Sequence, residues 1–389
     1  MRRFFITSEA VSEGHPDKIA DQIADAVLDE MIKQDKRGRC SCEVMLGNSY
    51  VVVGGEINSL AWIDYNNLIR KIIHDIGYDQ EEYGFYHKSA AILNTVNRQS
   101  PDVYRLVRRA GSKNQGAGDQ GISTGYACRE TPEMMPLGHM LAQKLAMGLS
   151  QARRKKTIAY LRPDAKCQLT LEYKDNAAFR LENVVISAQH DPKPPLAKIR
   201  QDIIDKVVKP VCGRFLDKDT KIFINHTGRF VIGGPAADTG ATGRKIVIDA
   251  YGNTVPSGGS SFSGKDPTKI DRSGAYMARY IAKNVVAADL ADECFVRMAY
   301  IIGDTKPIEF SIETFGTNVI SGAIIEDAIK KVFDLSPGGI IRQLKLLRPI
   351  YRKTSNYGHF GREEPEFTWE KKDKVKDLLR EVVKLSRAK

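Results

Sequence analysis

The residues best suited to chemistry gather where an amphipathic repeat begins. In residues 12–31, SEGHPDKIADQIADAVLDEM, Ile19, Ile23, Val27 and Met31 recur every four positions with Ala20 and Ala24 beside them, the spacing of one buried helical stripe. Asp21, Asp25 and Asp29 fall on the opposite side and are expected to face solvent. Pro16 suits the first helical turn, where its missing N–H costs nothing, and Gly14 allows a close approach of the chain just before it. His15, Asp17 and Lys18 therefore sit at a helix mouth, whose unpaired N–H groups and partial positive charge favour an anion such as phosphate. Plainer roles fit the same residues: Asp17 as a first-turn acid complementing the dipole, and His15 as a near-cap side chain without chemistry.

A second segment of this kind is GKDPTKIDRSGAYMARYIAKNVV, which leads from Gly264 into a helix carrying Tyr276, Tyr280 and Ile281, with Asp271 at its start. If the likeness is a repeat rather than chance, two modules each offer an acid and a lysine at a helix mouth. Between them GAGDQG presents Asp119 among glycines that let the backbone approach a ligand. It is neither a Walker loop, since no GK[ST] follows, nor the GxGxxG dinucleotide turn. Lys166, Arg244, Lys245, Lys265 and Lys269 are cations near strand ends or glycine-rich turns, and Phe230 offers an aromatic face for a base. Asp17 and Asp271 suit magnesium that bridges phosphate oxygens. No GxSxG elbow or Cys with an ordering His stands out. The set supports reaction on a nucleotide polyphosphate, driven by positioning and charge stabilisation.

The elements that must hold these residues alternate between helical and strand patterns, so a mixed α/β fold is expected. CSCEVMLGNSYVVVGGEI reads as a hairpin turning at Gly47 and Asn48, flanked by Glu43 and Glu56. Residues 61–76 read as a helix with Ile69, Ile72 and Ile73 on its apolar face. In LRPDAKCQLTLEY, Cys167, Leu169, Leu171 and Tyr173 alternate with Lys166, Gln168, Thr170 and Glu172, a strand with one buried face that puts Asp164 and Lys166 on its polar side. A helix is expected near 197–209, and KIFINHTGRFVIGGP reads as a strand, a turn at His226–Gly228 and a second strand. Residues 99–125 have little periodicity and many glycines, which points to a functional or mobile connection. WEKKDKVKDLLREVVKLSRAK reads as an amphipathic helix with Val375, Leu378, Leu379, Val382 and Val383 on one stripe.

The 389 residues, 42% hydrophobic and 28% charged, are enough for two or three domains with a substantial core and exclude a disordered chain. The opening apolar run ends at Thr7, too soon for a signal-peptide core, and no later run could span a bilayer, so a cytoplasmic protein without membrane contact is expected. Cys40, Cys42, Cys128, Cys167, Cys212 and Cys294 show no CxxC spacing and are too sparse for a disulfide framework. No His/Cys cluster suggests zinc, so a metal here would be a hard cation held by carboxylates and phosphate. The net charge of +11 invites a nucleic-acid reading, but the most basic tract interleaves acids and no nucleic-acid motif stands out. A small polyanionic substrate is the expected use of the charge, with no nucleic-acid partner.

The motifs SEGHPDKIADQI, VGGEI, GAGDQG, LRPDAK, TGRFVIGGP, TGRK, FSGKDPTKIDRS and YGHFGR, in this order over nearly the whole chain, resemble the S-adenosylmethionine synthetase (methionine adenosyltransferase) family. The resemblance implies three similar α/β domains about a pseudo-threefold axis, at 2–100, 113–230 and 232–370, with a helical tail at 371–389. It implies a homodimer whose active sites take residues from both subunits, commonly paired into a homotetramer. The implied substrates are ATP and methionine, with Mg2+ and K+ as cofactors. The methionine sulfur would displace tripolyphosphate from C5′ of ATP, and the tripolyphosphate would then be hydrolysed to pyrophosphate and phosphate.

Carried over by position, His15 would bind the departing polyphosphate oxygen, while Asp17 and Asp271 would hold Mg2+ and Glu43 K+. Lys166, Arg244, Lys245 and Lys265 would bind the polyphosphate, and with His15 the first, second and fourth of these would be catalytic. Asp164, Arg229 and Phe230 would line the nucleotide side, Phe230 stacking on adenine, with Asp119 and Ser261 also at ATP. Glu56, Gln99 and Lys269 would hold methionine, and Asp238 would reach both substrates. The chain departs from the family pattern after QSPD, where many relatives continue INQGV: here Val103 to Arg109 occupy the family's mobile lid. His226 stands for the usual Pro, and Ser260 and Ser261 for Gly and Ala. Rival readings are a non-catalytic relative, which predicts ATP binding with negligible product, and a basic nucleic-acid binder, which predicts salt-sensitive binding that survives loss of His15.

Overall fold

The computed structural model describes residues 3–98, 115–175 and 177–388. One order of elements recurs three times, the third time without its closing strand. The first run is β1 (Arg3–Val11), α1 (Pro16–Gln34), the hairpin β2 (Arg39–Gly47) and β3 (Tyr50–Asn58), α2 (Tyr65–Ile76) and β4 (Ala91–Asn94). The second is β5 (Gly121–Cys128), α3 (Leu137–Arg154), the hairpin β6 (Leu161–Lys174) and β7 (Ala177–His190), α4 (Leu196–Ile203) and β8 (Lys221–Ile224). The third is β9 (Gly240–Ala241), α5 (Ile270–Ala287), the hairpin β10 (Glu293–Tyr300) and β11 (Glu309–Glu313), and α6 (Gly322–Val332). Helices α7 (Pro337–Gln343) and α8 (Val375–Ala388) follow. This is the expected mixed α/β architecture of three similar domains.

The sheets do not follow the runs. Their orders are β4-β3-β2-β9, β1-β6-β7-β8 and β11-β10-β5. Each run gives its leading strand to the next run's hairpin, β1 to β6, β5 to β10 and β9 back to β2, always antiparallel. The leading helices cover the seams so formed: α1 packs on β2 and β9, α3 on β6 and β1, and α5 on β10 and β5. No run can complete its sheet alone. The apolar stripe Ile19, Ile23, Val27 and Met31 is fully buried in one core, and α3 packs its Leu141, Leu145 and Leu149 into a second beneath β6 and β7.

Several expectations are corrected. Asp21 and Asp25 are completely buried and Asp29 nearly so, because loops and cations cover the acidic side of α1. Helix α2 starts at Tyr65 rather than 61, where the Asp64 side chain accepts the Asn67 N–H. The helix near 197–209 is interrupted: Lys209 N–H donates to Ile204 O, five residues back, beside Pro210, which has no N–H to continue a tighter ladder. After Lys221–Ile224 and the turn at 226–228 there is no second strand; Phe230 instead exchanges bonds with His190, its N–H reaching Nε2 and its carbonyl accepting the His190 N–H. In β6 the apolar alternation holds, yet Glu172 is buried as well, ion-paired with Arg3 at 2.7 Å and Arg180 at 3.0 Å. In α8, Leu378 and Val382 are buried while Leu379 and Val383 stay exposed.

Candidate active site

The mouth of α1 is held by steric and polar contacts around Gly14 and His15. A Cβ on Gly14 would lie 2.4 Å from the Pro163 carbonyl oxygen, so only glycine fits, and the Tyr78 hydroxyl donates to Gly14 O at 2.7 Å. His15 is then the N-cap: its Nδ1 accepts the Asp17 N–H at 3.2 Å, with Pro16 opening the helix. Burial pushes the His15 imidazole down to about 4, and Lys245 and Lys166 push the same way against Asp17 and Asp238. The ring is therefore neutral near pH 7. Because Nδ1 accepts, the proton sits on Nε2, which becomes a neutral donor at a mouth built for anions.

Around this donor lies a ring of charge. Asp17 accepts the Ala241 N–H at 3.0 Å and the Lys245 Nζ at 2.5 Å. Burial pushes its carboxyl up, but Lys245 and Ala241 outweigh that and hold it below the usual range, so it stays ionised. Arg244 is more than half exposed, 3.8 Å from Asp17, and Lys166 is half exposed with Glu9 at 2.8 Å. Asp238 is exposed and caps the Thr239 N–H. Beside them Asp164 is buried and accepts the Gly234 N–H at 2.8 Å; burial pushes it up to about 7, with Gly234 opposing and Asp238 adding. Gly234 has φ +60 and its absent Cβ would sit 1.9 Å from the Tyr78 hydroxyl, so Tyr78 touches both the His15 and the Asp164 loops. The Phe230 ring packs against Gly233, and exposed Arg229 donates to Pro192 O at 3.2 Å.

A second group forms at the mouth of α5. Lys265 Nζ is 2.6 Å from Asp271 Oδ2, while Asp271 Oδ1 is buried with no partner among the described residues. Gly121 passes so close that a Cβ would be 2.5 Å from that oxygen, which places exposed Asp119 nearby, and Gly118 N–H donates to Thr268 O. Glu43 on β2 and Glu56 on β3 are both exposed. Burial raises the Glu43 carboxyl, Lys265 opposes, and Asp21 and Glu56 add to the rise. Lys269, the N-cap residue of α5, is buried and paired with Asp266 at 2.7 Å. Ser261 Oγ is buried against Gly243 with no partner among the described residues. Gln99 and residues 103–109 lie outside the described residues.

The two groups form at different helix mouths. Asp17 and Asp271 engage different lysines, and Arg272, next to Asp271, docks on Asp25, eight residues or about 12 Å of helix beyond Asp17. Among the described residues no set of three His, Cys, Asp or Glu side chains is placed to hold a metal ion. A lone carboxylate still suits a hard cation that takes its other ligands from phosphate and water, and the unpaired Oδ1 of Asp271 is such a donor. Sequence reasoning missed Tyr78, Asp21, Asp25 and Arg272 as builders of the site. The repeat of acids every four residues was the available clue to two of them.

Three family models match the chain in order: the S-adenosylmethionine synthetase N-terminal domain over residues 3–101, the central domain over 114–230 and the C-terminal domain over 232–371. Members of this family depend on metal ions in general. The full set of domains carries methionine adenosyltransferase activity, with ATP and methionine as substrates. With nearly every described residue inside those matches, the chain belongs to the S-adenosylmethionine synthetase family and makes S-adenosylmethionine from ATP and methionine.

Proposed function

We propose that the methionine sulfur displaces the whole tripolyphosphate from C5′ of ATP and that the tripolyphosphate is then hydrolysed to pyrophosphate and phosphate. The observation that carries this is the neutral His15 ring, a donor through Nε2 at the mouth of α1 among Lys166, Arg244 and Lys245. Such a group strengthens its hydrogen bond as charge develops on the leaving oxygen, and the fixed cations take up the rest. The attacking atom belongs to the substrate, so the protein aligns and neutralises rather than supplying a nucleophile. Lys265 binds polyphosphate from the second group, beside Asp119 and Ser261. Phe230, Arg229 and Asp164 serve the nucleotide side, and Asp238, Glu56, Gln99 and Lys269 the methionine side.

Asp17 and Asp271 would hold Mg2+, which would offset the charge of the polyphosphate, and Glu43 would hold K+. The active centre is shared between two copies of the chain, each bringing one group. Two features support this: Asp17 and Asp271 sit at different helix mouths with different lysines, and the outer face of β2, β3 and β4 sets exposed Met45 and Leu93 in register across Val52, beside Glu43. Pairing of such dimers would give a homotetramer. A cytoplasmic setting agrees with six buried, unbridged cysteines, and no helix among the described residues is long and apolar enough to cross a membrane.

The test is incubation with ATP, Mg2+ and K+, with and without methionine, while S-adenosylmethionine, pyrophosphate and phosphate are quantified together. Equal, methionine-dependent appearance of all three is expected. ATP binding without product would favour the non-catalytic relative instead.

A further inference from the structure

Four carboxylates stand one helical turn apart along α1, and each accepts backbone N–H groups from a loop laid across the helix. Asp17 takes Ala241 at 3.0 Å, Asp21 takes Gly243 at 2.9 Å, Asp25 takes Gly264 at 2.8 Å, and Asp29 takes Tyr351 and Arg352 at 2.9 Å each. The first two grip a single extended segment. Four residues of helix rise about 6.0 Å and two residues of extended chain about 6.6 Å, so carboxylates one turn apart match alternate N–H groups. The N–H between them, Thr242, points the other way, to Val44 O on β2 at 2.9 Å.

Asp21 also fixes what comes after. Gly243, at φ +76 and pressed against Ser261, turns the chain so that Lys245 returns to Asp17 at 2.5 Å. Lys18, buried beside Asp21 at 2.9 Å, reaches Asp249 at 2.5 Å, at the end of the helical turn Ile246–Asp249. The Arg244–Lys245 pair is thus anchored to Asp21 on both sides, directly through Gly243 and through Lys18 to Asp249.

We propose that Asp21 is a positioning residue for the polyphosphate: it touches no substrate but sets where Arg244 and Lys245 present their charge. This rests on the polyphosphate role given to those cations above. It is tested with Asp21→Ala and with Asp21→Asn, which keeps an oxygen for the Gly243 N–H and leaves Lys18 its Asp249 partner. In tripolyphosphate hydrolysis assayed alone, Asp21→Ala is expected to raise KM about tenfold or more, and Asp21→Asn to recover to within about threefold of the parent. The methionine KM in the full reaction should change less than about twofold. Equal loss of kcat in both variants with unchanged KM values would mean a general structural role and overturns the inference.

Hydrogen–deuterium exchange provides a readout independent of activity. Asp21→Ala should speed exchange over 241–249 and spare the segment at 351–352, whereas Asp29→Ala should do the reverse. Exchange over 241–249 that stays at the parent's rate in Asp21→Ala overturns the anchoring itself. Parent protein that makes no product while the exchange pattern appears as expected would sink the functional reading and uphold the anchoring.

Discussion

At the scale of single residues, the charge state of His15 decides what it can do. Burial first, then Lys245 and Lys166, hold it down to about 4, so the neutral donor persists through the physiological range. Replacing it by Asn should cut product formation by roughly 10²–10³-fold, the size of a lost oxyanion donor, while ATP affinity changes little, because the bond matters most as charge develops. Steady-state turnover beside ATP titration calorimetry separates the two; lost affinity with intact saturated turnover would contradict the role. Another buried imidazole bears on stability rather than rate. His139 on α3 has no hydrogen-bond partner among the described residues, and burial, with Arg279 adding, pushes it down to about 4. Its folded pKa lies below the ordinary 6.5, so the unfolded chain binds more protons as pH falls. Its contribution is fully present above about pH 6.5 and is lost toward pH 4, at up to about 1.4 kcal/mol per pH unit. Urea midpoints measured from pH 7 to 5, above most carboxylate titration, should fall, and His139→Gln should flatten that fall by one proton's worth at most.

At the scale of elements, the site is as good as the loops that α1 and its neighbours pin. Gly14 shows the tolerance: its Cβ would be 2.4 Å from the Pro163 backbone. Gly14→Ala should therefore lower stability by about 1–3 kcal/mol through overpacking and displace His15 from its cap. Denaturant melts and turnover should both register it, and an unchanged kcat would show that His15 does not depend on this contact. The helix itself was legible in advance, down to Pro16 at its start and the stripe Ile19, Ile23, Val27 and Met31, because burial of one face leaves a periodic record. The opposite face was misread for a physical reason: an acid that meets water and one that meets a loop N–H look alike in sequence. What distinguishes Asp21 and Asp25 is Gly243, Gly264 and Arg272, more than 200 positions away. Lys269 is buried for a related reason: its partner Asp266 is local yet turned inward by the Cys40 N–H. Lys166, Arg244, Lys245 and Lys265 stand out in the sequence because turn glycines and strand ends flank them.

At the scale of the molecule, the exchange of leading strands makes the three runs one structure, and it builds the two chemical groups at different helix mouths. The His15 group is assembled where β9 joins β2, and the Lys265–Asp271 group where β5 joins β10. The neutral His15 donor belongs to the first group, and the buried Oδ1 of Asp271, without a partner among the described residues, to the second. If a second copy supplies the missing half, two inactive variants should complement each other. His15→Asn and Lys265→Ala chains, unfolded and refolded together in equal amounts, yield heterodimers in about half of the population. One of the two centres in each heterodimer would then combine an intact His15 with an intact Lys265, giving about a quarter of the parent activity, whereas each variant alone stays near its own floor. Sedimentation must show dimers or larger in the active fraction. Activity of the mixture equal to the average of the two variants would place both groups in a centre formed by one chain, and the shared site would have to be abandoned.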